Sequence, residues 1–281
     1  MAKFINIPEY WEEIKQNDFE YLLKLVYNSE PDKITINDVL KKFADRLLGE
    51  KQFFTLDKRT QYFKLVTEVA EKLEWIFVRD VDGNYQFAFE TTENLIPDID
   101  GYKGPQPHGN DLTFGEYRLA VDLMNKYTTE RENFYLDALC GVLYRKPTKG
   151  WCNPGFDGNY REKFNKHQVQ HYAENMKKVP EYLKWGIYVW FANFNRYLIE
   201  GGEFIMDGNT VSFESLFERS AIDEDTKPVT NIGLVSIVFT LADTGTFGNA
   251  DKTDDTMLFP ILLKLLHDKN AVDRLKKNDR N

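Results

Sequence analysis

Cysteine is scarce in this chain, with two in 281 residues, and histidine is little more frequent, with four. Two cysteines in so long a chain do not make a disulfide framework, and they suit a reducing compartment. Basic excess is missing too. Thirty-six Lys and Arg stand against 45 Asp and Glu, a net charge of −9. No basic block interrupts that balance, so nucleic acid is not expected as the main partner. The opening residues, MAKFINIPEYWEEIKQ, hold no apolar core of the kind a secretory leader needs. Synthesis in the cytosol is the expectation. Long charge-free apolar runs are also lacking. Residues 182–199 come nearest, but Lys184, Asn193, Asn195 and Arg196 interrupt them. A central core helix is expected there, and no membrane partner.

What is present is aromatic and helical. Phe (21), Tyr (15) and Trp (5) make up 15% of the chain, hydrophobic residues 42% and charged residues 29%, the balance of a globular protein with a sizeable core. Helical spacing runs through Trp11, Ile14, Phe19, Leu22, Leu23 and Val26 (10–27), and through Ile36, Val39, Leu40, Phe43 and Leu47 (35–48). It returns in Phe63, Val66, Val69, Ala70 and Leu73 (57–73). The period then changes. WIFVRDVDGNYQFAFE reads as a hairpin around Asp82-Gly83, and EFIMDGNTVSFESLF as another around Asp207-Gly208. Between the helical stretches, 93–112 is rich in Pro, Gly and Asp and reads as a linker or ordered loop, with His108 on its surface.

Thr113 and Glu116 form a capping box that starts a helix at Phe114. RENFYLDALCGVLYRKP is a further helix, stopped before Pro147, with Cys140 among Leu136, Leu139, Val142 and Leu143 as a buried small hydrophobe. In the 182–199 helix, Trp185, Ile187, Val189, Trp190, Phe191 and Phe194 are expected largely buried. Final helices are expected over 231–243 and 256–277, with Gly245 closing the first. DEDTK (223–227) and DKTDD (251–255) read as solvated acidic loops. No βαβ alternation is present, so a doubly wound fold is not expected. The reading is a mainly α protein of two packed halves, 1–92 and 113–281, joined by 93–112 and each carrying a small β-hairpin.

Chemistry-bearing residues gather at GWCNPGFDGNYREKFNKHQVQHY (150–172), which holds Cys152, His167 and His171. His167 and His171 are four apart, so a helix would place both imidazoles on one face, as metal ligands often are. The set is incomplete, however. A structural zinc site needs about four ligands, and Cys152 has no close cysteine partner. A zincin would carry Glu after its first His, where this chain has Gln168. No papain-like or G-x-S-x-G context surrounds Cys152. GTFGNADKTDD, with Gly245, Gly248 and Lys252, lacks phosphate-loop spacing. The Asp254/Asp255 pair carries no specificity in so acidic a chain. The residues thus predict no catalytic set, metal or cofactor.

Four ordered segments carry a resemblance: NLIPDIDGYKGPQPHGNDLTFGEYRLAVDLMNKY, LDALCGVLYRKP, VPEYLKWGIYVWFANFNRYLIEGGEFIMDGNTVSFESLF and GLVSIVFTLADTGTFGNADKTDDTMLFPILLKLL. Together they resemble a group of phage and prophage proteins from Bacteroidetes-type hosts. The LTFGEY…LDALCGVLYR part is similar to tail assembly chaperones, small helical proteins that hold the tape-measure protein. The resemblance covers about 94–266. It implies action by protein–protein contact in tail morphogenesis, with tape-measure or tail-tube proteins as partners, self-association left open, and a place in the host cytoplasm or the virion. It supplies no catalytic residues. The N-terminal helices lie outside the short chaperone pattern, which leaves a stable virion part of the tail or head–tail junction as an alternative. An enzyme or metal protein using Cys152, His167 and His171 is the alternative from another class.

Overall fold

Two capping boxes set two of the helix starts. Thr113 Oγ1 accepts from the Glu116 N–H at 3.2 Å while Glu116 Oε2 accepts from the Thr113 N–H at 2.7 Å. Thr35 and Asp38 repeat the exchange at 3.2 and 3.0 Å. The computed structural model describes residues 6–29, 35–49, 55–149, 158–217 and 234–278. In chain order the elements are α1 (Gln16–Tyr27), α2 (Ile36–Leu48), α3 (Leu56–Lys72), β1 (Phe77–Arg79), β2 (Tyr85–Phe87), β3 (Asp98–Ile99), β4 (Tyr102–Lys103), α4 (Phe114–Glu130) and α5 (Asn133–Leu143). Then come α6 (Val169–Met176), α7 (Glu181–Ile199), β5 (Glu203–Met206), β6 (Asn209–Ser212), α8 (Glu214–Phe217), α9 (Leu234–Asp243), α10 (Ala250–Asp255) and α11 (Leu258–Asn278). The fold is mainly α; among the described residues the strands form three two-stranded antiparallel hairpins, β1–β2, β3–β4 and β5–β6, and isolated bridges such as Lys103 to Arg145 lie outside them.

Helix α7 is the axis of the core. It packs against α1, α4, α5 and α8. Leu183, Ile187, Trp190, Phe191, Phe194 and Leu198 are buried along it. Trp185 and Val189 are only half-buried, because α7 leaves one flank at the surface beside Tyr188. Lys184, read as an interruption of an apolar run, is itself buried: its Nζ donates to Asp137 and Glu181, each at 2.6 Å. Gly186 lets α1 approach, since a Cβ there would lie 2.4 Å from Leu23 Cδ1. No helix among the described residues is long and apolar enough to cross a membrane.

Segment 93–112 is tied to the core from several sides. Tyr144 OH donates to the Ile96 carbonyl at 2.7 Å, and Asn94 Nδ2 to Pro105 at 2.8 Å. From α7, Trp190 Nε1 reaches the Thr92 carbonyl just ahead of the segment at 3.1 Å. The segment also holds a third hairpin, β3–β4, turning at Asp100 (φ 47°) and Gly101 (φ 82°).

Three further details differ from the periodicity reading. The stretch 10–27 is broken: a 3-10 turn at Trp11–Glu13 ends in extended backbone at Ile14 before α1 begins. DKTDD is not a solvated loop but most of α10, capped by Asn249 and with Thr253 and Asp254 buried against α4. The final helix begins at Leu258, behind that element. DEDTK lies outside the described residues.

Candidate functional site

A large cleft, about 780 Å³, opens between α4, the segment 163–169 and α10. Its apolar lining is Leu119, Phe164 and Val169, all half-buried. One wall is basic, with Lys163, Lys166 and His167; the other is acidic, with Asp251, Asp254 and Asp255. Lys163 Nζ meets Asp255 at 2.6 Å and Lys166 Nζ meets Asp251 at 2.8 Å, so the walls are pinned by ion pairs. The Asp251 carboxyl is held below its ordinary range by the Lys166 ammonium bonded to it. Arg118 reaches both Asp254 oxygens, at 3.1 and 3.3 Å, while its Nε is buried without a hydrogen-bond partner.

Beneath the cleft lies a buried ionic cluster. Glu116, Asp111, Arg145 and Arg161 are each at most 3% exposed. Arg161 Nε donates to Asp111 Oδ2 at 3.1 Å, and its terminal nitrogens reach the Leu143 and Asp111 carbonyls at 2.9 and 2.7 Å. Arg145 donates to the carbonyls of Glu162, at 2.7 Å, and Val142. Glu116 Oε1 sits in charge contact with both guanidiniums, 3.2 Å from Arg161, yet outside hydrogen-bond geometry to either. Two carboxylates thus face two guanidiniums, and backbone carbonyls take up further donors, while the buried Arg145 Nη2 lies in charge contact with Glu116 without a hydrogen bond. Burial pushes the Glu116 carboxyl up, but Arg161 and Arg145 pull harder, and its pKa ends below the ordinary value. The cluster joins α4, the end of α5 and the strand-like stretch at Arg161, and so fixes the frame from which the basic wall projects.

No protein-family model, curated protein or solved structure matches the chain. Function has to be read from the geometry and from the resemblance noted above.

The structure separates the residues that the sequence grouped. His167 sits in a 3-10 turn (Lys166–Gln168) and lines the large cleft. His171 is one turn into α6 and lines a different, small recess with Tyr102, Tyr144 and Arg145. Both are exposed. Cys152 lies outside the described residues. Cys140 is fully buried in α5, its Sγ 3.7 Å from the Lys184 carbonyl, and burial pushes its thiol well up. His108 is half-exposed, bridging Thr92 Oγ1 at 2.6 Å and Glu93 at 3.2 Å from a left-handed backbone (φ 59°). Among the described residues, no three of His, Cys, Asp or Glu are placed to hold a metal ion.

Sequence reasoning missed Asp111, Arg145 and Arg161 altogether, and credited Glu116 with the helix cap alone. The one usable signal was the capping box, which explains only one of the two Glu116 oxygens. Asp254 and Asp255 were noticed and set aside as surface; they form the acidic wall.

Proposed function

We propose that this protein acts in phage tail morphogenesis through protein–protein contact, in the manner of a tail assembly chaperone. The reading is carried by the ordered set of four segments spanning about 94–266. In the fold those segments supply α4, α5, α7, α10 and the start of α11, which together build the central core and two sides of the large cleft. Such a role needs contact surface and no active site, and the cleft, with its apolar lining and walls of opposite charge, is a surface of that kind. The partners under this reading are tape-measure or tail-tube proteins, met in the host cytoplasm. A stable virion part of the tail or head–tail junction is the second reading, favoured by α1–α3, which extend the protein beyond the short chaperone pattern.

Co-expression with the tape-measure and tail-tube proteins of the same phage, followed by co-purification, tests the proposal. Retention of one of them by the wild-type chain is expected, with deletion of the gene altering tail length or number. Failure to retain either, with normal tails after deletion, overturns it. Presence of the chain in purified virions would select the second reading.

A further inference from the structure

Thr92, His108 and Glu93 make a chain of contacts outside both the cleft and the ionic cluster. Thr92 Oγ1 lies 2.6 Å from His108 Nδ1, and His108 Nε2 lies 3.2 Å from Glu93 Oε1. An ionised carboxylate only accepts, so the proton of a neutral imidazole sits on Nε2, facing Glu93. Nδ1 is then an acceptor, and the group within its reach is the Thr92 hydroxyl. This is the order of a nucleophile, a base and a group that orients the base. The backbone is bent to make it. His108 is left-handed (φ 59°, ψ 14°) and Gly109 follows at φ 67°. A histidine in that region is uncommon, and three contacts hold it there. The His108 N–H donates to the Thr92 carbonyl at 3.0 Å, and the Trp190 indole holds the same carbonyl at 3.1 Å. Gly109 packs so closely on α7 that a Cβ would lie 2.7 Å from Phe194 Cζ. The hydroxyl and the imidazole are thus fixed to each other and to the core, as a preorganised pair requires.

We infer that Thr92 is an acyl-accepting nucleophile for small uncharged carboxylic esters, with His108 as its base and Glu93 positioning the imidazole. The Thr92 oxygen attacks the ester carbonyl carbon while its proton passes to His108 Nδ1. The bond from that carbon to the alkoxy or aryloxy oxygen breaks, and the leaving oxygen takes the proton from Nδ1. Water then attacks the acyl carbon, gives a proton to Nδ1, and the Thr92 oxygen leaves and recovers it, so that ester and water become acid and alcohol. Among the described residues the Thr92 N–H has no acceptor, and a nucleophile's own amide is one of the donors that hold the developing oxyanion in serine hydrolases. Thr92 is 8% exposed, whereas the His108 and Glu93 side chains are 46% and 31% exposed, so only a small substrate entering beside the imidazole reaches the hydroxyl. The surroundings set its charge. Glu90 is exposed two residues before Thr92, and Glu12 binds the Thr91 hydroxyl. An anionic substrate would meet this acidic edge, and the fitting class is neutral. The activity is independent of the tail-assembly reading, since it belongs to the purified chain alone.

Reaction of the full chain with para-nitrophenyl acetate tests this. A burst of nitrophenol is expected, with an acetyl group found on Thr92 when the acid-quenched protein is mapped by peptide mass. Thr92→Val is expected to lose both, and Thr92→Ser to keep them on the new hydroxyl. His108→Asn, which tolerates the left-handed backbone, should acetylate this position about a hundredfold more slowly, with unchanged circular dichroism showing that the fold is kept. Glu93 is tested through the ring it orients. Nitrogen NMR of His108 is expected to show the neutral imidazole protonated at Nε2 in wild type and mixed between the two nitrogens in Glu93→Gln, with slower acetylation of Thr92. A folded wild type that gives no burst and acetylates only lysines or tyrosines overturns the inference. So does labelling of Thr92 that is as fast in His108→Asn, or in urea-unfolded wild type, as in the native chain.

Discussion

Around Trp11 the chain is held by rings. Trp75, Phe87 and Phe89 lie 5.0 to 5.2 Å from its ring centroid, with Phe19 at 6.0 Å, and the indole N–H donates to the Ala88 carbonyl at 3.1 Å. Around Glu116 it is held by charge, with two guanidiniums and a second carboxylate, all buried, whereas Trp75 and Phe87 of the ring centre are only half-buried. Both centres join segments far apart in sequence. The ring centre gains from every apolar atom removed from water and tolerates imperfect geometry. The ionic centre bears a desolvation cost that only a complete set of partners offsets. Removing a ring therefore leaves a void, whereas removing one charge leaves the opposite charge stranded.

The largest effect is expected at the rings. Trp11→Ala opens a cavity among four aromatic neighbours and should cost about 3–5 kcal/mol, read as a lowered urea midpoint. A loss under about 1 kcal/mol would mean that the neighbours collapse into the space, and the ring centre would then be looser than its distances imply. Glu116→Gln comes next. It keeps the volume but leaves Arg145 and Arg161 facing a neutral amide, and should cost about 3 kcal/mol. Near-neutral behaviour would show that Asp111 and the backbone carbonyls suffice to hold both guanidiniums.

Acid sharpens the contrast. The folded-state pKa of Glu116 lies below its ordinary value of 4.5. Its contribution is therefore complete above that value and is lost as pH falls through the depressed folded one. Wild type and Glu116→Gln should differ most near neutral pH and converge on acidification below 4.5, since a protonated Glu116 resembles the glutamine. The Trp11→Ala deficit should persist over the same range. A wild-type-to-Gln gap that does not shrink in acid would remove charge as the basis of the Glu116 centre.

The two centres were also unequally legible in the sequence. The ring centre was partly legible: Trp11 and Phe19 belong to the first apolar pattern, although the break at Ile14 divides them, and Phe87 and Phe89 belong to the Asp82-Gly83 hairpin run. The long apolar helix α7, the span of α2 and the capped start of α4 were legible for the same reason, because local spacing and caps are encoded locally. The ionic centre was not. Its members are 45 to 50 residues apart across the Arg161 contacts, and charged residues are assigned to the surface unless a partner is known. Glu116 shows the difficulty most sharply, because its capping role is a sufficient local explanation that hides the second one. Lys184 was misplaced by the same default. The β3–β4 hairpin is a different kind of miss: Asp100-Gly101 is the turn signal used correctly at Asp207-Gly208, but two-residue strands are too short to show alternation. Helix α10 was lost because an acidic composition outweighed its Asn249 cap.

The smallest effect is expected where the sequence first drew attention. His167 and His171 look like a ligand pair only if one continuous helix carries both. The chain instead passes through a 3-10 turn at Lys166–Gln168 before α6 starts at Val169, and the two rings line different recesses. Their hydrogen bonds are local: the His167 N–H to Asn165 Oδ1 at 3.0 Å uses backbone only, and His171 Nε2 meets the Asn175 amide at 3.2 Å on the surface. His167→Ala with His171→Ala therefore leaves the cap intact and exposes no buried partner, so stability should change by less than about 1 kcal/mol. Isothermal titration with zinc should show no tight site that the double substitution removes. Stoichiometric zinc in the native protein, lost in the double variant, would place Cys152 and both histidines back together and return the metal-protein alternative to first place.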